Sequence, residues 1–286
     1  MAIKVLVLGK TGCLGTSLEK VFNSNPGILH QGLDHKDFEI TKIVELEDTL
    51  KSFRPDYIIN TVALIGVNIC EEDPSHTLNV NSVAVDKLSK MCRNNGVKLI
   101  QASTHAVFDG HSDKSYCEMD TPNPINLYGY SKLLAEYFVK KNMTDYYILR
   151  FPTMFGPRRN YSLGFVDKML ERMKSGKQIK VSVDRIDSPT YSINVASKIS
   201  DIITNSYEFG TYHITDSGRT SYYEFVLELA RQVGFRGKVE KAREADFPAL
   251  APNPLKVALD SQKNTLTGYS WQKSLTMYVG DEEISC

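Results

Sequence analysis

The alternation of short apolar strands with helices in the first half of the chain is the feature that most constrains its fold. Each predicted strand is followed by a predicted helix, and the unit repeats about every 30 residues. Repeated crossovers of this kind predict a parallel sheet with helices on both faces. The predicted strands cover residues 3–9, 28–34, 57–61, 98–103 and 146–151, and the predicted helices cover residues 14–23, 42–53 and 124–141, with a longer one from the Asp73-Pro74 cap to Gly96.

The alternation loosens after residue 151. Helical patterns mix there with isolated strands, and no linker rich in glycine, serine or proline separates the two halves. We therefore expect residues 1–151, with segments returning from the second half, to form the sheet domain. Residues 152–286 are expected to form mainly a smaller α/β substrate-binding lobe that closes a cleft over the sheet. Its predicted helices cover residues 163–175, 195–205 and 222–233, and its predicted strands cover residues 179–183 and 211–215.

A glycine-rich loop joins the first predicted strand to the first predicted helix. In dinucleotide-binding folds, glycines spaced three apart make the tight turn, let the backbone approach the pyrophosphate and let the helix pack near the strand. The loop therefore predicts a Rossmann-type doubly wound sheet with a dinucleotide site, although an ordinary strand–helix turn is the alternative. The candidate cofactor contacts in the loop are Gly9, Lys10, Thr11, Gly12, Cys13, Leu14 and Gly15.

The residues at the end of the second predicted strand bear on the choice of cofactor. Asp34 stands where an acidic residue binds the adenosine ribose hydroxyls, which suits NAD. His35 and Lys36 follow it and, together with Lys10, offer positive charge for a 2′-phosphate, which suits NADP. We favour NADP, because several cations outweigh one carboxylate beside a dianionic phosphate, and NAD stays open.

Tyr128 and Lys132 are spaced for one face of a helix. A free phenol has a pKa near 10 and is a poor proton donor or acceptor at neutral pH. A lysine ammonium one turn away is expected to lower that pKa toward the useful range. Beside a dinucleotide loop, this pair predicts acid–base catalysis; a surface Tyr/Lys pair is the alternative.

Composition excludes several other classes of protein. The 286 residues carry 34 Lys and Arg against 34 Asp and Glu, so no bulk charge attracts nucleic acid or an anionic membrane. The apolar stretches fall short of the ~20 residues that a membrane span needs, and the N-terminal apolar run is too short for a signal peptide. The five cysteines form no C-x-x-C pair, and the six histidines are scattered, so we expect a cytoplasmic protein without a metal site.

Several motifs together resemble the extended short-chain dehydrogenase/reductases, and within them the dTDP-4-dehydrorhamnose reductase branch. The resemblance covers most of the chain and weakens after about Pro248. It implies an NAD(P)H-dependent reductase of a nucleotide-linked 4-keto-6-deoxy sugar. The motifs are Gly-Lys-Thr-Gly at the loop, Ser103-Thr104-x-x-Val107-Phe108-Asp109-Gly110, Leu127-Tyr128-Gly129-x-Ser131-Lys132, Asp184-x-x-x-Ser188-Pro189-Thr190 and Gly210-x-Tyr212-His213.

The resemblance also implies roles for individual residues. Thr104 would orient the substrate carbonyl, Tyr128 would donate the proton, and Lys132 would support the tyrosine and bind the nicotinamide ribose. Thr104, His105 and Thr153 would contact the substrate. The other implied cofactor contacts are Glu39 and Ile40 near the adenine, and Val62, Ala63 and Leu64 along the cofactor groove.

The chain departs from this branch on the substrate side. An Asp-Tyr pair usually follows the Ser-Thr pair, whereas His105-Ala106 stands here, and an Arg-Pro pair near the C-terminus is replaced by Asn253-Pro254. The exit from the third strand, residues 62–68, is also more apolar than usual. Since the cofactor and catalytic positions are kept, the pattern favours the same chemistry on a different sugar.

Two other functions stay open. One is an epimerase or dehydratase of the same superfamily, although the neutral His105-Ala106 lacks the acidic pair that dehydratases need. The other is a non-catalytic dinucleotide-binding subunit, similar to the regulatory subunit of methionine adenosyltransferase. Tyr161, Tyr191, Tyr222 and Tyr223 are candidates to stack on a base or sugar, with core or surface packing as the alternative that is favoured for most of them. Dimers are common in the superfamily, which leaves a homodimer open.

Overall fold

The first half of the chain alternates strands and helices as its sequence predicts. A computed structural model of the protein describes residues 2–159, 163–263 and 267–284. The elements in chain order are β1 (Ile3–Leu8), α1 (Cys13–Asn23), β2 (Ile28–Leu33), α2 (Glu47–Phe53), β3 (Tyr57–Asn60), α3 (Val67–Glu72), α4 (Pro74–Leu78), α5 (Ala84–Asn95), β4 (Lys98–Thr104), α6 (Leu127–Asn142) and β5 (Tyr146–Phe151).

The second half holds shorter strands between its helices. Paired strands there are two to four residues long, and three of the four pairs are parallel. The elements are β6 (Met154–Phe155), α7 (Phe165–Lys174), β7 (Ile179–Ser182), β8 (Ile186–Asp187), β9 (Thr190–Tyr191), α8 (Ser192–Asn205), β10 (Gly210–His213), β11 (Thr215–Ser217), β12 (Thr220–Ser221), α9 (Tyr222–Gln232), β13 (Val239–Ala242), β14 (Thr267–Ser270) and α10 (Trp271–Asp281).

The central sheet has six parallel strands in the order β10-β5-β4-β3-β1-β2. One face packs on α1 and α8 through a cluster that includes Leu18 and Ile199, and the other packs on α5 and α6 through a cluster that includes Leu88 and Val139. The predicted doubly wound, Rossmann-type sheet is confirmed. A separate cluster around Phe155, Phe225 and Leu275 forms the core of the second half.

Local chemistry explains where the helices differ from the predicted ones. The helix that residues 124–141 were predicted to contain begins at Leu127, because the Asn126 side chain caps it by accepting from the Gly129 N–H at 2.9 Å. Asp73 caps α4 as expected, but a π turn over Asn79–Val83 separates α4 from α5. The helices α3 and α10 were not predicted. No helix in the described ranges is long and apolar enough to span a bilayer.

A buried ion pair joins the helix α6 to the strand β5. Arg150, whose side chain is 2% exposed, donates to Glu136 from Nε at 2.9 Å and from Nη2 at 2.7 Å. Ser103 on β4 donates to the same carboxylate at 2.6 Å, so three elements meet at one acid. The guanidinium holds the pKa of Glu136 below its usual value although burial opposes this. The pair therefore fixes α6 against the sheet with both charges present at neutral pH.

Removing one partner of this pair should destabilise the protein strongly. We expect Arg150→Met to lower the free energy of unfolding by about 3–5 kcal/mol, because Glu136 would be left as an uncompensated buried charge. Urea denaturation measures the change. The matched control is Lys90→Met, which breaks the exposed Lys90–Asp86 pair and should cost less than about 1 kcal/mol. Equal losses in the two variants would contradict this account of α6.

Candidate active site

The candidate site lies at the carboxyl edge of the central sheet. The glycine loop follows β1, residues 62–64 follow β3, and Thr104 ends β4. Since β1, β3 and β4 are adjacent and parallel, the three segments lie side by side. This is the edge at which open α/β sheets bind their ligands.

Two glycines of the loop are required by the protein's own packing, and a third is not. A Cβ on Gly15 would lie 2.1 Å from the Gly9 carbonyl oxygen, and a Cβ on Gly9 would lie 2.5 Å from Thr61 Oγ1. A Cβ on Gly12 would meet only the Gly9 carbonyl oxygen, at an ordinary 3.5 Å. Gly12 opens α1, and no side chain in the described ranges caps that helix end. The open space at Gly12 and the uncapped amides fit a pyrophosphate.

A segment from the second half covers this loop. The Arg159 N–H donates to the Thr11 carbonyl oxygen at 2.9 Å, and its guanidinium contacts the Lys10 carbonyl oxygen and pairs with Glu19. Nearby, Arg158 Nε lies 2.9 Å from Asp167 Oδ2. The sequence did not predict this contact. Its only indication in the sequence is the pair of consecutive arginines, Arg158 and Arg159.

The residues after β2 form a polar turn beside the loop. Asp34 is buried, whereas His35 and Lys36 are exposed. The Lys10 ammonium lies 2.7 Å from Asp37 Oδ2, so the glycine loop and this turn are joined by an ion pair. Asp37 was not among the predicted site residues.

The predicted contacts near the adenine differ in their exposure. Glu39 is exposed, and its carboxylate accepts from the Thr41 hydroxyl at 3.3 Å. Ile40 is 5% exposed and packs in the core with Leu33 and Phe38. Ile40 therefore offers almost no side-chain surface to a ligand.

The predicted groove residues Val62, Ala63 and Leu64 are partly exposed. Asn81 holds Leu64 in place, because its side chain accepts from the Leu64 N–H at 2.8 Å and donates to the Leu64 carbonyl oxygen at 3.0 Å. Asn81 lies in the π turn between α4 and α5, and π turns are often found at functional sites. This irregular turn supports the cofactor groove.

Thr104 and Tyr128 are brought together by the close approach of α6 to the end of β4. A Cβ on Gly129 would lie 2.2 Å from the Ala106 carbonyl oxygen, so only glycine permits this contact. Tyr128, the preceding residue, lies close enough to the Thr104 side chain for that hydroxyl to lower the phenol's pKa in part. Thr104 also accepts from the Ala106 N–H at 3.1 Å. The two hydroxyls that the sequence proposes for one carbonyl are therefore neighbours.

The effect that we expected of Lys132 on Tyr128 is wrong. Burial raises the pKa of Tyr128 to about 12, and the Thr104 hydrogen bond offsets only part of this. The Lys132 ammonium donates instead to the Ala102 carbonyl oxygen at 2.8 Å, on β4. Tyr128 is thus a neutral phenol at pH 7, able to give a proton but not to take one.

Lys132 itself is 3% exposed. Burial lowers its pKa to about 8, and the charge of Glu136, one helical turn further on, opposes that decrease. Lys132 therefore carries its charge at neutral pH and loses it in the mildly alkaline range.

His105 faces an acid from the second half of the chain. Its Nδ1 lies 3.1 Å from Oδ1 of Asp187, a fully buried side chain. Asp187 also accepts from the Ser188 N–H at 2.8 Å and the Thr153 N–H at 3.1 Å. These contacts, with His105, hold its pKa below the usual value although burial opposes this. Two of the three predicted substrate contacts, His105 and Thr153, are thereby connected through Asp187, a residue that was not among the predicted site residues.

The four tyrosines proposed for stacking have different settings. Tyr161 lies outside the described residues. Tyr191 is fully buried, and Tyr222, 6% exposed, places its hydroxyl 2.7 Å from Thr153 Oγ1. Tyr223 is partly exposed and lies beside Lys241. Tyr222 thus supports the substrate side through Thr153, while Tyr191 packs in the core of the second half.

Comparison with known proteins identifies similar chains. The model of the RmlD substrate-binding domain family matches residues 3–283. A dTDP-4-dehydrorhamnose reductase of Aggregatibacter actinomycetemcomitans is 29% identical, covering 95% of this chain and 97% of its own. The spore coat polysaccharide biosynthesis protein SpsK of Bacillus subtilis is 25% identical, with 99% of each chain covered. The crystal structure of a Bacillus anthracis dTDP-4-dehydrorhamnose reductase in complex with NADP has a TM-score of 0.92 at 28% identity, covering 98% of this chain and 100% of its own.

Gly12→Val should abolish dinucleotide binding and leave the fold intact. A Cβ at this position has room within the protein, and the methyl groups of valine would fill the space that a pyrophosphate needs. Fluorescence titration with NADPH measures binding, and urea denaturation measures stability. Gly15→Ala is the contrasting variant, because its Cβ would clash with the Gly9 backbone and should destabilise the protein. A folded Gly12→Val variant with unchanged NADPH affinity would place the cofactor elsewhere.

Proposed function

Because the chain belongs to the RmlD substrate-binding domain family, we propose that it reduces the C4 ketone of a nucleotide-linked 4-keto-6-deoxy sugar with NADPH. The observation that carries this proposal is the Thr104–Tyr128 hydroxyl pair, set beside Lys132 at the carboxyl edge of the sheet. Oxidation of NADPH in the presence of dTDP-4-dehydrorhamnose, followed by a panel of other 4-keto nucleotide sugars, tests it. No oxidation with any member of the panel would refute it.

The residues present fit a bound dinucleotide. The uncapped start of α1 and the open space at Gly12 suit its pyrophosphate, and Val62, Ala63 and Leu64 offer partly exposed apolar surface along the groove. Lys132 would bind the nicotinamide ribose. The cofactor, when bound, supplies the hydride. A similar Bacillus anthracis enzyme binds NADP, which supports the choice of NADPH.

Tyr128 would act as a general acid. As hydride reaches C4 of the sugar, negative charge develops on the ketone oxygen, and a donor placed there stabilises the transition state more than the ground state. Burial keeps Tyr128 protonated at neutral pH, so its O–H bond breaks as the alkoxide takes the proton. Thr104 would donate a second hydrogen bond to the same oxygen.

His105 and Asp187 would shape the sugar pocket. A fully buried carboxylate is tolerated only when it is paired or hydrogen-bonded, so Asp187 and His105 hold one another in position. His105 is adjacent in sequence to Thr104, which orients the carbonyl in this proposal. We propose that His105 contacts a sugar hydroxyl near C4. Since His105 replaces the usual acid of the branch, the preferred sugar would differ from that of typical members.

We also propose a cytoplasmic homodimer. The four described cysteines are free thiols, which suits a reducing compartment. Sedimentation velocity of the purified protein would show whether a dimer forms.

Replacing the phenol should stop most of the chemistry. We expect Tyr128→Phe to lower kcat by about 10²–10⁴-fold, because it removes the general acid and keeps the ring. Thr104→Ala should have a smaller effect, since it removes one neutral hydrogen bond. Turnover is measured on the best 4-keto sugar, with NADPH affinity checked in each variant. Wild-type turnover in Tyr128→Phe would eliminate this role and assign the proton donation to another group.

The activity should also decrease in the alkaline range. The pKa of Lys132 is about 8, and its ammonium loses its proton as pH rises through that value. Since kcat/KM reports groups of the free enzyme, kcat/KM for NADPH should fall above about pH 8. In Lys132→Gln, kcat/KM for NADPH should be lower than in the wild type and should not change between about pH 7 and pH 10. A flat wild-type profile would contradict the proposed role of Lys132.

A further inference from the structure

The side chain of Lys10 is directed from the glycine loop to the end of β2. Its stem runs across Gly32, where a Cβ would lie 2.7 Å from Lys10 Cβ and 3.1 Å from Lys10 Cδ. The backbone N–H of Lys10 also donates to the Leu33 carbonyl oxygen at 3.1 Å. The absence of a side chain at Gly32 therefore lets the Lys10 ammonium reach the turn that follows β2. In dinucleotide-binding folds this turn lies at the adenosine ribose.

In this turn, Asp37 forms an ion pair with the Lys10 ammonium. The distance from Lys10 Nζ to Asp37 Oδ2 is 2.7 Å, and the same oxygen accepts from the Asp34 N–H at 2.9 Å. The ammonium also holds the pKa of Asp37 below its ordinary value. Asp37 is therefore an ionised, positioned counter-ion of Lys10.

Asp34 stabilises the turn after β2 through its own hydrogen bonds. Its Oδ1 accepts from the Lys36 N–H at 2.8 Å, and its carbonyl oxygen accepts from the Asp37 N–H at 2.9 Å. The residue is 7% exposed. Asp34 thus holds the turn that presents Asp37 to Lys10, and it makes no ion pair with any lysine or arginine in the described ranges.

We propose that Asp37 sets the choice between NADH and NADPH by competing with the adenosine 2′-phosphate for the ammonium of Lys10. The proposal rests on the dinucleotide site proposed above. With NADPH, a phosphate oxygen takes the place of Asp37 on Lys10. With NADH, which has no 2′-phosphate, the Lys10–Asp37 pair persists.

The exposure of the pair makes this exchange feasible. The Lys10 and Asp37 side chains are 29% and 37% exposed, and exposed ion pairs are weak. A phosphate dianion attracts the same ammonium more strongly than a carboxylate does, but it must displace Asp37 to reach that ammonium. The displacement reduces the preference for NADPH. Asp37 is therefore expected to keep both cofactors usable.

The test measures the dissociation constants of NADPH and NADH for four proteins by fluorescence titration at one ionic strength. They are the wild type, Asp37→Asn, Lys10→Met and the double variant. Asp37→Asn is isosteric, so the amide oxygen can still accept from the Asp34 N–H. Asp48→Asn is the matched control, because it removes the same negative charge from a fully exposed side chain on α2.

We expect Asp37→Asn to tighten NADPH binding about tenfold and to leave NADH binding within about twofold. Lys10→Met should weaken NADPH binding about tenfold, and adding Asp37→Asn to it should bring no further gain, since both act on one ammonium. Asp48→Asn should change neither constant. An unchanged ratio of the two constants in Asp37→Asn, or weaker NADPH binding, would overturn the role of Asp37. Failure of the wild type to bind either cofactor would refute the dinucleotide site instead.

Discussion

The close contact between α6 and the turn after β4 is the constraint on which the site depends. Gly129 lies so near the Ala106 carbonyl oxygen that any Cβ would force the two elements apart. With a side chain there, Tyr128 would withdraw from Thr104, and the two hydroxyls could not meet at one oxygen. The buried Glu136–Arg150 pair supports the same approach from further along the helix, because it anchors the middle of α6 to β5 and β4. Sheet and helix are thus held together at two points along α6.

The second half of the chain is joined to the elements of the candidate site through a few specific contacts. Asn126, which caps α6, also donates to the Pro252 carbonyl oxygen at 3.0 Å, so the start of α6 is tied to the C-terminal segment. Ser17 on α1 lies 2.7 Å from Ser192 on α8, beneath the glycine loop. These hydrogen bonds help to position the second half of the chain relative to α1 and α6, the helices that begin at the candidate site.

The strand–helix order and the glycine loop could be predicted from sequence, because both depend on local patterns. The proximity of Thr104 and Tyr128 was implied only by the family resemblance. The roles of Asp187 and Asp37 could not be predicted. Asp187 meets His105 across 82 residues, and that pairing depends on the packing of the two halves. The charge states of Tyr128 and Lys132 could not be predicted from sequence either. Their spacing places both residues on one face of the helix, but only the fold directs the Lys132 ammonium to the Ala102 carbonyl oxygen. Burial then raises the pKa of the phenol, an effect that no spacing rule contains.

The His105–Asp187 pair has a consequence for how such a chain can change over time. If the acid usual in this branch stood at position 105 while Asp187 remained, two carboxylates would face each other at a site with almost no solvent. Replacing Asp187 alone would instead leave the imidazole, 11% exposed, without its hydrogen-bond partner. Either single substitution should destabilise the protein, whereas exchanging both residues together should not. The two positions should therefore have been substituted together, and the identity of residue 105 should predict that of residue 187 among relatives.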